Sequence, residues 1–391
     1  MELLIWRMRK ADTAEVLIGL GSNQGNRFIH LQKALFKIDE EIGPVVACSK
    51  CYKNKAVGFD GDDFINACIA VKTKLDPHEV LNKLLLIENE LGRKRKAHFS
   101  YTNRPIDLDL LFYEDLTIQT VQLELPHPRI TQRRFVLKPL MDIAPQKVHP
   151  LNKRITAELL THCEDENDVI AVEKTLHINR KSFWQNSGYI CIEGCIGVGK
   201  TSLCQKIAET FEVPYFLESF ENNPFLSSFY EDKDKYSLPV ELSFLADRSE
   251  QIEDHFQHLS KPPGILSDYH LSKSLMFAEI NLQGSALDLY KRWYNFSLTH
   301  LKNPSLYVYL QRPLEVIKEQ ILKRGRPYEM GISENYLKKI IKSYECYIKV
   351  EKDFECLQLN LEKNDFIVDN EVFKQIVFKI ENALLIQYYS D

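Results

Sequence analysis

Between Val16 and about Leu140 short β-branched runs alternate with helical periodicities: VLIGL, then HLQKALFKIDEEIG, FINACIAVKT, PHEVLNKLLLIENELG and IDLDLLFY. Apolar positions recur every second residue or run continuously in the short segments and follow the 3.6 period in the long ones, which predicts an α+β domain. A different rhythm starts near Gly188. There YICIEG, GILSD and LYVYL are continuous apolar runs separated by long helical patterns, among them TSLCQKIAETF and EVIKEQIL, and LQLNL followed by VFKQIVFKIENALL adds a last strand and helix. Strands apolar on both faces with helices between them predict a parallel α/β sheet flanked by helices. The stretch 149–188 has mixed charge, weak periodicity and a terminal Asn-Ser-Gly, the marks of a connector. The expected division is a domain over 15–160, a linker over 161–187 and a second domain over 188–391.

Composition narrows the class. At 391 residues the chain is long enough for more than one core, and 44% apolar with 27% charged residues describes a globular protein. No apolar stretch is long enough to span a bilayer, and the opening MELLIWRMRKADTAE has neither a secretory apolar region nor a small-residue cleavage site, so the cytoplasm is the expected compartment. Nine cysteines without regular spacing, including the isolated Cys48-x-x-Cys51, read as reduced thiols. The net charge of -5 combines a slight basic excess before residue 160 with an acidic remainder. Neither half has the basic surplus of a general nucleic-acid binder, so small, locally held anionic ligands are expected.

The sharpest local signal is Gly194-Cys195-Ile196-Gly197-Val198-Gly199-Lys200-Thr201, which follows the strand YICIE and opens the helix TSLCQKIAETF. Gly194, Gly197 and Gly199 let backbone N–H groups wrap a phosphate chain, Lys200 neutralises the β/γ oxygens and the Thr201 hydroxyl joins a Mg²⁺ shell. Further on, Arg324 and Arg326 flank Gly325 after a helix, as suits a lid closing over a phosphoryl group or, equally, a solvated helix end. In order and spacing, IEGCIGVGKT, FLES, VELSFLADR, LSDYHLSKSLMFA, LYVYLQRP and KRGRPYE make residues 188–350 resemble the deoxynucleoside kinase family. The resemblance implies Glu218 as the base for a nucleoside 5′-OH, Tyr230 and Glu329 on the sugar 3′-OH, and Arg248 near the nucleobase. It also implies Arg324 and Arg326 as lid arginines, Asp268 as an acidic group at the metal, and a homodimer formed through this half. Two departures stand out. Glu241 replaces a base-reading glutamine and can only accept when ionised, which favours a base edge that donates. Tyr269 and His270 replace the Arg and Ser that normally follow the Asp268 position, removing a cation. The alternative is a nucleotide-binding regulatory module that has lost transfer, or a kinase for another small molecule.

In the first half, Asp107 and Asp109 lie at i and i+2 on one strand face, where paired carboxylates repel unless a cation such as Mg²⁺ with triphosphate lies between them. Arg93 and Arg95 within GRKRK, with Arg104 nearby, form a compact cationic run suited to polyphosphate or to an ordinary basic loop. Together LGSNQGNR, FINACIAV, IENELGRKRK, NRPIDLDLLFY, LPHPRI and RRFVLKPLMDIAP resemble 6-hydroxymethyl-7,8-dihydropterin pyrophosphokinase over about 15–160. That resemblance implies a ferredoxin-like α+β fold in which ATP gives its β,γ-diphosphate to the pterin hydroxymethyl group and leaves as AMP. It implies Asp107 and Asp109 as Mg²⁺ ligands, and Arg93, Arg95, Arg104 and Arg133 as phosphate or loop arginines. Glu88 and His127 fall in the ATP site, Asn66 reads the pterin edge, Phe135 stacks on it, and Val57 and Gly58 belong to a covering loop. Phe64 stands where a tyrosine is frequent, position 128 is Pro, and 98–103 is one residue longer. The whole chain reads as a bifunctional enzyme using ATP and Mg, with a hydroxymethyl-dihydropterin and a deoxynucleoside as small-molecule substrates and no nucleic-acid or membrane partner.

Overall fold

The computed structural model describes residues 13–94, 102–219, 223–256, 264–299, 301–326, 329–351 and 353–390. The chain divides between Phe183 and Trp184 into two compact units, with Tyr389 belonging to the first.

The first unit is built on an antiparallel sheet. Strands β1 (Ala14–Ser22), β2 (Val45–Cys48), β3 (Tyr52–Asn54), β4 (Phe64–Thr73) and β5 (Asp107–Tyr113) alternate with helices α1 (Arg27–Glu41) and α2 (Pro77–Glu90). The order is β5-β1-β4-β3-β8, with β2 also on β4 and β8 being Ile170–Ala171; β6 (Ile118–Gln119) and β7 (Glu124–Leu125) form a separate ribbon. Helix starts follow from side chains that satisfy the first free N–H groups. The Asn26 side chain accepts from Ile29 N, and Asp76 and Glu79 form a reciprocal capping box with Pro77 at the first turn. Helix α3 (Arg134–Ile143) places Val136, Leu137 and Leu140 against Leu17, Cys68, Ala70 and Phe112 of the sheet. With both of its faces covered, β4 is buried along nearly its whole length, which is why FINACIAV is a continuous apolar run rather than an alternating one.

The stretch expected to be a linker differs from that expectation. Residues 170–171 pair with Tyr52 and Lys53 of β3, and the short helix Arg180–Trp184 buries Phe183, whose ring packs edge-on against Phe36 of α1. Two β-bridge pairs and the scattered buried side chains of Leu176, Phe183 and Trp184 order a segment too short and polar to show a period.

In the second unit five parallel strands run in the order β10-β11-β9-β12-β13: β9 (Tyr189–Gly194), β10 (Tyr215–Phe216), β11 (Ile265–Ser267), β12 (Leu306–Gln311) and β13 (Glu355–Asn360). Every residue of β9 is buried. Helices α4 (Lys200–Phe211), α5 (Lys233–Phe256), α6 (Ser272–Asn281), α7 (Leu314–Arg324) and α8 (Glu334–Val350) complete the part of the unit that carries the site. The chain segments leaving the carboxyl ends of β9, β10 and β11 carry the phosphate loop, Glu218 and Asp268, the position at which open α/β sheets bind ligands. Among the described residues no helix is long and apolar enough to cross a membrane.

Candidate active sites

Strand register assembles the first site. Gly21 of β1 is opposite Asn66 of β4 on one side and Asp107 of β5 on the other, so an amide and a carboxylate flank one backbone position at the edge of a cavity of about 860 Å³. Asn66 donates to Asn54 Oδ1 at 2.5 Å, which fixes its amide orientation. Val57, Gly58, Phe64 and Phe135 line the same cavity. The Arg104 guanidinium lies over Phe64 at 5.3 Å and that of Arg133 over Phe135 at 5.5 Å.

Both acids of the D-x-D pair face this cavity. Asp107 is ion-paired with Arg93 and, at 2.7 Å, with Arg104; Asp109 has Arg133 at 3.4 Å and His127 Nε2 at 4.0 Å. Burial, and then the neighbouring Asp107, pushes the Asp109 carboxyl up to about 6. Burial, with Arg133 and Arg129 beside it, pushes His127 down to about 4, so its imidazole is neutral near pH 7. Two neighbouring acids ringed by guanidinium groups, one of them with its carboxyl raised, fit a divalent cation carrying a polyphosphate.

Not every expected residue opens into this cavity. Glu88 is buried behind β5, accepting from Leu108 N at 2.8 Å and from Arg93, and these two line a smaller hollow beside Asn82, Leu86 and Asn89. Arg95 lies outside the described residues. The cavity also takes in Asn152, Arg154, His162 and Asp165, which sequence reading passed over. Arg154 and its neighbours fall in the weakly periodic 149–188 stretch, so nothing local marked them.

The second site is a cavity of about 460 Å³ over the phosphate loop. Gly197 and Gly199 have φ of +79° and +105°, and a Cβ on Gly197 would meet Ile321 at 2.8 Å; only glycine permits the turn that aims successive N–H groups at the helix start. Lys200 Nζ donates to the Gly194 and Cys195 carbonyls at 2.8 and 3.3 Å. The Thr201 hydroxyl donates to Asp268 Oδ2 at 2.5 Å, and Asp268 Oδ1 accepts from Glu218 N at 2.8 Å. A hydroxyl and a carboxylate joined beside the loop are the oxygen donors a Mg²⁺ ion takes.

Glu218 stands at the centre. Its Oε1 accepts from Arg248 Nε and Nη2 at 2.9 and 2.6 Å, and its Oε2 accepts from Lys273. Burial alone would raise this carboxyl, but Lys273 and Arg248 hold it well below the usual carboxylate range. The expected loss of a cation at position 269 is therefore only half of the account. Tyr269 is indeed a core residue, while Lys273, one helical turn later on α6, brings an ammonium group to Glu218. Sequence reading passed over it because the partner lies 55 residues away.

Glu329 accepts from Arg324 at 2.9 and 2.5 Å and from Arg326 at 3.5 Å, so both lid arginines meet the acid expected at the sugar. Glu241 is buried in the cavity wall; its Oε1 accepts from Asn281 Nδ2 at 2.7 Å, and its Oε2 is enclosed without a hydrogen-bond partner among the described residues. Burial pushes its carboxyl up to about 7. Tyr230 lies in the helix Leu226–Glu231, with its side chain outside the described set.

A phosphate loop opening a helix at the carboxyl end of a parallel sheet, with acids and lid arginines around it, places the second unit among P-loop nucleotide-binding folds. Comparison with known proteins gives the family of each half. The deoxynucleoside kinase model matches residues 190–385, and the 7,8-dihydro-6-hydroxymethylpterin-pyrophosphokinase model matches residues 17–145. A deoxyguanosine kinase of Bacillus subtilis (strain 168) is 33% identical over 202 residues, which cover 50% of this chain and 98% of that protein. A 2-amino-4-hydroxy-6-hydroxymethyldihydropteridine pyrophosphokinase of Aquifex aeolicus (strain VF5) is 39% identical over 142 residues, 36% of this chain and 87% of that protein. A solved structure of deoxyadenosine kinase from M. mycoides with bound dCTP, 24% identical, covers 50% of this chain and 99% of that one with a TM-score of 0.44. The chain belongs to both families, the pyrophosphokinase in its first half and the deoxynucleoside kinase in its second.

Proposed function

We propose that the two cavities are the active sites of two separate transfers from Mg-ATP. The chain is a bifunctional pyrophosphokinase and deoxynucleoside kinase. In the first site the pterin lies between Phe64 and Phe135, with Asn66 reading its edge and the loop at Val57 and Gly58 over it. The βαβββαβ order of β1 to β5, a βαββαβ pattern with one additional short strand, supports the ferredoxin-like reading of this unit. Asp107 and Asp109 hold the metal, which supplies charge neutralisation of the triphosphate. Arg93, Arg95, Arg104 and Arg133 align the phosphates, while Glu88 and neutral His127 support the ATP side. The carrying observation is the D-x-D pair in register with Asn66 across the sheet.

In the second site the phosphate loop and Lys200 hold the triphosphate, Thr201 and Asp268 hold Mg²⁺, and Glu218 accepts the 5′-OH proton. Tyr230 and Glu329 hold the sugar, Arg248 orients Glu218, and Arg324 and Arg326 close on the phosphoryl group. A homodimer through this half and a cytoplasmic location complete the reading. Product analysis of the full chain tests it: Mg-ATP with hydroxymethyl-dihydropterin is expected to yield AMP, and Mg-ATP with a deoxynucleoside panel to yield ADP and a 5′-monophosphate. ATP binding without monophosphate would make the second half a nucleotide-binding module instead.

Glu241 sets the base. In its ionised form the Glu241 carboxylate, with one oxygen held by Asn281 and the other without a partner among the described residues, takes a base edge with N–H donors, and guanine offers two side by side at N1 and N2. The similarity to a deoxyguanosine kinase supports the same choice. Glu241→Gln is expected to lower the kcat/KM ratio of deoxyguanosine over deoxyadenosine by about tenfold or more, since a mismatched buried donor or acceptor is costly. Competition among the four deoxynucleosides reads this directly, and an unchanged ratio removes Glu241 from base selection. Glu218→Gln is expected to lower turnover by about 10² to 10⁴ with ATP affinity retained, and unchanged turnover would remove it as the base.

A further inference from the structure

The residue that follows Asp268 does not reach the phosphate loop as a cation. Tyr269 is fully buried, its ring edge lies against Phe216 at 5.5 Å and its hydroxyl donates to Gln251 at 2.8 Å. These contacts make it part of the core beneath α5. Position 273 lies one turn further along, at the start of α6, and its lysine side chain is almost wholly enclosed. Lys273 opens into the cavity that also contains Lys200, Thr201, Asp268 and both lid arginines.

The contacts of Glu218 show what Lys273 is not needed for. Arg248 already binds that carboxylate through two N–H groups and is itself held by Ser274 Oγ at 2.6 Å, so orientation of Glu218 is secured from α5. Lys273 adds a second cation on the other carboxylate oxygen. Lys200 and Lys273 both line this one cavity. Two ammonium groups that repel each other across one enclosed space are stabilised by an anion between them. A lysine ammonium on a flexible stem has three donors and can hold a carboxylate and a phosphoryl oxygen together.

We propose that Lys273 is a catalytic residue of the kinase half, contacting the transferring phosphoryl group and supplying the cation absent at position 269. The inference rests on the deoxynucleoside kinase reading of this site. In the step, the nucleoside 5′-oxygen forms a bond to the γ-phosphorus and the bond from that phosphorus to the β,γ-bridging oxygen breaks. Its electron pair leaves on ADP, and the 5′-OH proton passes to Glu218. Lys273 takes no part in the proton transfer and acts by charge on the equatorial oxygens, where negative charge is spread in the transition state.

The test uses the full chain with Mg-ATP and the deoxynucleoside that the wild type phosphorylates best. Lys273→Met is expected to lower kcat by about 10² or more while the nucleoside KM stays within about threefold, the pattern of an interaction made only in the transition state. Lys273→Arg, which restores a cation of similar reach, is expected to recover at least about tenfold of that loss. A Lys273→Met enzyme with wild-type kcat overturns the inference. So does a loss that Lys273→Arg leaves unrecovered, since packing alone would then account for the lysine. A wild-type chain that phosphorylates no deoxynucleoside instead overturns the kinase reading itself, and the inference with it.

Discussion

Lys200→Ala is expected to lower deoxynucleoside phosphorylation by about 10² to 10³ or more while the AMP-forming reaction with the pterin keeps its wild-type rate. The magnitude follows from what the lysine faces. Its ammonium is held by the Gly194 and Cys195 carbonyls at the mouth of the phosphate loop, so it is already ordered where the β and γ oxygens would lie. A charge fixed in advance in a water-poor site loses little to reorganisation, and removal of one such group is typically worth two to three powers of ten. Charge alone is not the whole requirement: the Gly197 turn packs against Ile321, so a bulkier guanidinium in place of Lys200 meets a loop with no room to retreat. Lys200→Arg is therefore expected to recover little of the loss. The measurement is initial rates of ADP and AMP formation resolved in one chromatogram, each started by its own acceptor. Retained nucleoside turnover in Lys200→Ala would mean that phosphate is held elsewhere.

Local chemistry was the most legible part of the sequence. The phosphate loop is contiguous, so eight residues carry both its geometry and its charge, and the buried strands betray themselves by lacking polar positions. The D-x-D pair was readable because a strand shows alternate residues on one face. What escaped depends on distances along the chain that no period records. Lys273 meets Glu218 across 55 residues, and Asn281 meets Glu241 across 40. The absence of arginine at position 269 was visible, whereas the approach of Lys273 to Glu218 required knowing where α6 starts. The 161–187 stretch was hard to read for another reason: two paired residues and the scattered buried side chains of Leu176, Phe183 and Trp184 order it, too few to leave a pattern. Arg154 and Asp165, read as connector, lie on the wall of the first cavity for the same reason.

Asp107→Ala is expected to reduce AMP formation by about 10³ or more and to leave deoxynucleoside phosphorylation unchanged. Asp107 begins β5 beside Gly21 and is the carboxylate on which Arg93 and Arg104 converge. Its removal would therefore cost the proposed metal site a ligand and also release two guanidinium groups that would otherwise be balanced. An excess of cations still attracts triphosphate, so ATP binding is expected to fall less than turnover. What would be lost is the placement of the diphosphate for attack, since Asp107 and the arginines it orders would position the phosphates, with a bound metal supplying charge neutralisation. The side chain is partly exposed and lies at the edge of the sheet, so the fold is expected to survive, with a thermal midpoint close to that of the wild type. Asp107→Asn separates charge from shape: it keeps the strand position and one oxygen but not the negative charge, and is expected to be nearly as impaired as alanine. Full activity in Asp107→Asn would assign the residue to hydrogen bonding with Arg93 and Arg104 rather than to a metal. Equal loss of both activities in Asp107→Ala would show that the two halves do not work independently.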